Sequence, residues 1–179
     1  LSEKIKKEII TEDQNYDIRF SYLIDEAFLK QELTDLDTRK WYPPSSDTDM
    51  NVFVRNWAGF ARYNCSLTAV YKNEIVGIAT IFLMPYVKVA HLAMMYMVVK
   101  KEFRNKGIGR SLIKNINHLA KAKFHLDSMH VEIFEGCPIE KLLQTSGYKE
   151  VFFQENFVEF DEGMAGRKVY EIDLEGGVN

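Results

Sequence analysis

The residues of this chain most able to hold a charged ligand are gathered between positions 100 and 114. Lys100, Lys101, Arg104, Lys106, Arg110 and Lys114 stand there against one acid, Glu102. Within the run, Gly107 and Gly109 flank Ile108 where helical periodicity begins. A glycine lets backbone amides approach a ligand without obstruction from Cβ. The first turn of a helix also offers N–H groups lacking intrahelical partners, at the positive end of the helix dipole. With Arg104 and Lys106 beside it, this turn reads as a cradle for a diphosphate. The competing reading is an ordinary strand-to-helix turn whose basic residues are solvated. An apolar strand, a basic loop, paired glycines and an amphipathic helix occur together, which favours the cradle.

Other chemistry fits less well. A phosphate-binding Walker loop needs a lysine after its last glycine, then serine or threonine; here Arg110 follows Gly109. A dinucleotide fingerprint needs a third glycine where Leu112 stands, leaving only Glu135 as a weak match to its acidic residue. Cys65 and Cys137 lie in unlike contexts, and His91, His118, His125 and His130 form no zinc spacing, so no metal is expected.

Periodicity supplies the elements that must position the cradle. Ile5 to Ile10 reads as a first strand, with Thr11 as a helix N-cap and Phe20, Leu23, Ile24, Ala27 and Phe28 at helical spacing. Pro43-Pro44 breaks that helix, and a second is expected from about Asp49 to Tyr63, burying Val52, Phe53, Trp57 and Phe60. Leu67–Tyr71 and Ile75–Leu83 read as a hairpin joined by Lys72-Asn73-Glu74, followed by a strand over His91–Val99. Ile108, Leu112, Ile113, Ile116, Leu119 and Ala120 mark one face of a helix. A strand over Met129–Phe134 and a short helix over Pro138–Ser146 come next, with Gly147 past the helix end. Val151–Phe160 and Lys168–Leu174 close the chain as strands separated by a polar, glycine-containing loop. The order β-α-α-β-β-β-α-β-α-β-β predicts an α/β fold: a single mixed β-sheet with helices on both faces, in one domain over residues 1–179. Phe152, Phe153 and Phe157 are expected in the core, with a homodimer contact as the second reading.

The whole chain narrows the function classes. Its 179 residues are 46% hydrophobic and 27% charged, with a net charge of -3, which excludes a disordered or fibrous chain. A mildly acidic protein is a poor nucleic-acid binder, since such proteins present a basic face. The most apolar stretch, Ile75 to Val99, is interrupted by Pro85, Lys88 and His91, so no membrane association is expected. The charged opening Leu1-Ser2-Glu3-Lys4 does not resemble a secretory leader, and two isolated cysteines suit a reducing compartment, so a cytoplasmic protein is expected.

Arg104-Asn105-Lys106-Gly107-Ile108-Gly109 matches, position by position, the Q/R-x-x-G-x-G/A motif of the GNAT superfamily of N-acetyltransferases. The preceding Met97-Val98-Val99 resembles the strand that hydrogen-bonds the pantetheine arm in that family, and the element order agrees along nearly the whole chain. The resemblance implies that Arg104, Asn105, Lys106, Gly107, Ile108, Gly109, Arg110 and Ser111 wrap the pyrophosphate of acetyl-CoA, the co-substrate. Lys101 stands where many members carry proline. The implied activity is transfer of an acetyl group to a primary amine, on a small molecule or a protein, by direct attack in a ternary complex. The alternative is a non-catalytic acyl-CoA-binding sensor of the same fold; a nucleotide-binding protein using the same loop is a third class.

The implied catalytic groups depart from the family pattern. Members often draw the general base from a glutamate on the strand before the pyrophosphate loop, but Ala93 to Val99 holds no carboxylate and only Tyr96 titrates. Glu132 and Glu135 on the next strand are the substitutes, acting directly or through water, with His91 and His130 behind them. The family's tyrosine acid falls on Leu143, counted back from the pair Gly147-Tyr148, and Gly136-Cys137 replaces the usual asparagine. Tyr148, Ser146, Cys137 or solvent would then protonate the leaving thiolate. Asp35, Asp37, Asp47, Asp49, Glu155, Glu159, Asp161 and Glu162, with Trp41, Tyr42 and Phe157, lie where the family places its acceptor and could attract a cationic amine.

Overall fold

The computed structural model describes residues 16–175, so the expected strand at Ile5–Ile10 and the cap at Thr11 lie outside the described residues. Among the described residues, seven strands form one mixed sheet in the order β1-β2-β3-β4-β5-β7-β6. They are β1 (Tyr16–Phe20), β2 (Ser66–Tyr71), β3 (Glu74–Leu83), β4 (Leu92–Val99), β5 (Ser128–Phe134), β6 (Lys149–Phe160) and β7 (Gly163–Asp173). Every neighbouring pair is antiparallel except β4 with β5. The β2–β3 hairpin turns through Lys72 and Asn73, at φ 47° and 67°, the left-handed pair that a two-residue hairpin favours.

The described residues also form five α-helices: α1 (Glu26–Glu32), α2 (Leu36–Arg39), α3 (Asp47–Gly59), α4 (Ile108–Phe124) and α5 (Glu140–Thr145). Ser46 caps α3, its side chain accepting from the Asp49 amide at 3.1 Å. From there Met50, Val54, Trp57 and Ala58 turn inward at helical spacing and pack with α1 over Ile78 and Val98. On the other face, Leu112, Ile113, Ile116, Leu119 and Ala120 of α4 meet Ile18, Leu67, Ala79, Met95 and Met97. Alternation along β4 therefore sends Met95 and Met97 to one core and Val98 to the other. Among the described residues no helix is long and apolar enough to cross a membrane.

The mixed sheet and the helices on both faces agree with the expectation from sequence, with five local corrections. Phe20 belongs to β1, and the helix expected there begins at Glu26, after a turn of 3-10 helix over Leu23–Asp25. Val52 is exposed, because a 3.6-residue period buries Met50, Val54 and Trp57 and turns Val52 outward. Pro138 precedes α5 rather than opening it, and β7 begins at Gly163, so most of the expected loop is a strand paired to β6. Phe152, Phe153 and Phe157 are 47%, 41% and 41% exposed rather than buried, since β6 is an edge strand that pairs, among the described residues, with β7 alone.

Candidate active site

β4 and β5 pair over only three positions, Leu92 with Ser128, Ala93 with Met129 and Met94 with His130. Beyond them β4 stays registered with β3 as far as Val99, and β5 with β7 as far as Phe134. The two strands therefore part at Met95 and Val131, leaving a wedge that opens into a cleft of about 510 Å³. The polar groups of alternate β4 residues point into this wedge. Two carbonyls show it: the Tyr42 hydroxyl donates to Met97 O at 2.7 Å, and Arg104 Nε donates to Val99 O at 2.9 Å. By the same alternation the polar groups of Val98 face β3, so of Met97, Val98 and Val99 the first and last present backbone to the cleft.

The wide end of the wedge is the start of α4. Gly107 holds φ +83° as the N-cap, no side chain caps the helix, and no acid occupies its first turn. A Cβ on Gly107 would meet nothing within 4 Å, so the space before the helix is open. Gly109 is packed closely: a Cβ there would come 2.8 Å from Leu142 Cδ2 and 3.5 Å from Met97 Cε. Asn105, Gly107, Gly109 and Arg110 all line the cleft, with Lys141 and Thr145 of α5 opposite. This end has the donor-rich, cationic character that a diphosphate requires.

The remaining loop residues are placed differently. Arg104 lines the cleft, yet its guanidinium is tied to Val99 O and, through Nη2, to Thr38 Oγ1 at 2.9 Å, so it braces the loop against β4 and α2. Lys106 extends its ammonium over the Phe103 ring at 5.2 Å. Ile108 and Ser111 are buried beneath the turn, where Ser111 N donates to Gly107 O at 3.0 Å.

Where the wedge narrows, Glu132 of β5 reaches the cleft, and among the described residues it is the only carboxylate lining it. Tyr96 stands on the same side; burial, and then the Glu132 charge, push its hydroxyl above the ordinary tyrosine value. Burial likewise raises Tyr42, whose ring closes against Tyr96, Phe53 and Trp57. Cys137 also lines the cleft, and burial raises its thiol, which makes it a poor nucleophile at neutral pH. Glu135 instead closes a ring with Gly166, whose amide donates to its carboxylate at 3.1 Å. His130 pairs with Glu171 at 2.8 Å.

Tyr148 requires a correction. It is 2% exposed, its hydroxyl donates to Asn117 Oδ1 at 2.8 Å, and it is absent from the cleft lining. Burial raises its pKa, so it is a core residue rather than an acid for the leaving group. One hydroxyl at the cleft, that of Tyr42, comes from a loop 55 residues before Met97. Only the double proline and the aromatic pair Trp41-Tyr42 marked that loop in the sequence.

These features, a splayed parallel strand pair feeding an uncapped helix start, define an acyl-CoA transferase type of fold. A putative acetyltransferase from Salmonella typhimurium, solved with its cofactor acetyl-CoA, superposes with TM-score 0.76 at 15% identity, over 93% of this chain and 98% of its own. An N-acetyltransferase from Staphylococcus aureus Mu50 gives 0.72 at 20% identity, over 90% and 99%. A spermidine N-acetyltransferase chimera from Vibrio cholerae gives 0.72 at 14% identity, over 90% and 97%. No curated protein sequence gives a significant match. The profile of the Acetyltransferase (GNAT) family matches residues 30–136, more than half of the chain, and the protein belongs to that family.

Proposed function

We propose that this protein is an acetyl-CoA-dependent N-acetyltransferase that acts on a primary amine by direct attack in a ternary complex, with the whole chain forming one transferase domain. The observation that carries this reading is the wedge itself: β4 backbone at Met97 and Val99 that has left β5, its carbonyls held by Tyr42 and Arg104, running to the bare start of α4. An extended amide-bearing arm can add to β4 as a strand would, and its diphosphate would meet the amides at Gly107–Arg110 with Arg110 and Lys141 nearby. Acetyl-CoA supplies the activated acetyl thioester. Glu132 is placed to take the amine's proton, directly or through one water. The Tyr42 hydroxyl spends its one proton on Met97 O, and the departing thiolate is less basic than a tyrosinate, so no tyrosine acid is needed and solvent suffices. Two free cysteines, one buried, support residence in a reducing cytoplasm.

Thermal unfolding with acetyl-CoA, CoA or ATP tests the binding half. A ligand at a hundred times its dissociation constant adds about 2.7 kcal/mol to stability. Acetyl-CoA and CoA should each raise Tm while ATP alone should not; no shift with either thioester or thiol at millimolar concentration would end the reading. Thiol release with an amine then separates an enzyme from a sensor, which would bind the ligand and release nothing.

A further inference from the structure

One charged pair beside the narrow end of the cleft takes no part in the diphosphate cradle. Arg167 of β7 reaches Glu132 Oε1 through Nη1 at 3.3 Å and Gln154 Oε1 through Nη2 at 2.9 Å. Its guanidinium carbon lies 4.2 Å from the centroid of Phe157 and 5.6 Å from that of Phe152. Nε is buried without a hydrogen-bond partner. A fork with five N–H donors thus makes two hydrogen bonds, one of them long, while the rings hold its plane in place. Such a fixed, under-used guanidinium matches a carboxylate in shape and charge.

The charges around the cleft sharpen this. Glu132 is the only acid among the described lining residues, against Arg104, Arg110 and Lys141. The acids of the early helices are engaged elsewhere: Asp37 with Lys101 at 2.9 Å, Asp47 with Arg39 at 2.7 Å, and Asp49 with the Ser46 hydroxyl at 2.7 Å. Glu155, Glu159, Asp161 and Glu162 do not line the cleft, so a polycation inside it would meet one lining carboxylate, already paired. An amine with no anion would take Glu132 and leave Arg167 as an unpaired, half-buried charge, which is costly. An amine that carries its own anion leaves no charge alone, because one ion pair is exchanged for two.

We infer that the acceptor is a small zwitterion, a primary amine bearing a carboxylate close by as in a free α-amino acid, with its anion on Arg167 and its nitrogen at Glu132. This rests on the transferase reading above.

Acetyl-CoA-dependent thiol release, measured with free L-amino acids, their carboxamides and spermidine, tests it on the wild-type chain, Arg167→Gln and Arg167→Lys. Amino acids should exceed their carboxamides in kcat/KM by roughly tenfold to a hundredfold, the range of one charge-assisted contact. Arg167→Gln should erase that ratio through KM, and Arg167→Lys should keep part of it, while the acetyl-CoA thermal shift stays the same in all three and reports that they fold. Spermidine or carboxamides equal to or better than the amino acids would overturn the inference and leave the transferase reading intact. No acetyl-CoA shift, or a shift without release from any amine, would overturn both.

Discussion

Gly107 concentrates the properties of the cradle in one position. Its φ of +83° suits glycine, and the space beyond its Cα is open. A side chain there would cost about 1 kcal/mol of backbone strain and would project towards the bound anion. Gly107→Glu should therefore fold with slightly lowered Tm and lose the acetyl-CoA thermal shift, a loss of affinity of a hundredfold or more by rough analogy with a misplaced like charge. Gly107→Asn, neutral and tolerant of left-handed φ, should keep most of the shift. Equal shifts in wild type and the glutamate variant would remove the turn from the binding site. This position was legible in sequence because the turn is local: six consecutive residues carry both the conformation and the chemistry. Tyr42 and Arg167 were not, since each acquires its role from a partner that only the folded sheet brings near, Met97 in one case and Glu132 in the other.

At the scale of elements, the first three strands and α3 are joined by a chain of buried hydroxyls whose direction follows from proton counting. Asp25 accepts both guanidinium nitrogens of Arg19, at 2.7 and 2.9 Å, and the Thr68 hydroxyl at 2.8 Å. With its one proton spent, Thr68 must accept from Ser21 at 2.8 Å, Ser21 from Ser66 at 2.8 Å, and Ser66 from Thr80. Thr80 in turn accepts the indole N–H of Trp57 at 2.8 Å. Every hydroxyl gives once and receives once, and all the dipoles point at Asp25. Thr80→Val breaks the chain next to Trp57, stranding the buried indole donor and depriving the Ser66 oxygen of the hydrogen bond that it accepts. It should cost about 3 kcal/mol in urea unfolding, while Thr80→Ser should cost far less; a Val variant as stable as wild type would show that the chain contributes nothing. Helices and strands that bury one regular face, such as α4 and β4, were legible from periodicity alone. β6 was legible as a strand but its burial was not, because its register shifts twice and its aromatic residues lie on an open edge, where alternation no longer reports burial.

Across the whole molecule, two buried carboxyl groups in the same layer respond to acid in opposite senses. Burial works to raise Asp25, but hydrogen bonds from Arg19, the Tyr22 amide and Thr68 outweigh it and hold the group below its ordinary value of 3.8. A lowered native pKa means that the unfolded chain binds the proton more tightly, so this contribution is complete above the unfolded value and is lost as pH falls through the native one. Glu32 is raised above 4.5, chiefly by burial, so the native state binds its proton more tightly and gains stability as pH falls towards and through its native pKa. On descending from neutral pH, stability should therefore first rise, in the window just above the ordinary glutamate value, and then fall below about pH 4, where the aspartate of the unfolded chain takes up a proton before native Asp25 does. Glu32→Gln should abolish the rise and leave the fall. Asp25→Asn should lower stability by about 3 kcal/mol at neutral pH, the order expected for breaking a buried pair, and should flatten the acid limb. Urea midpoints between pH 3 and 7 for the three proteins read all of this directly. A wild-type curve that falls monotonically from neutrality, unchanged in shape by Glu32→Gln, would mean that Glu32 gains enough solvent or cationic help from Lys100 to titrate as an ordinary surface acid.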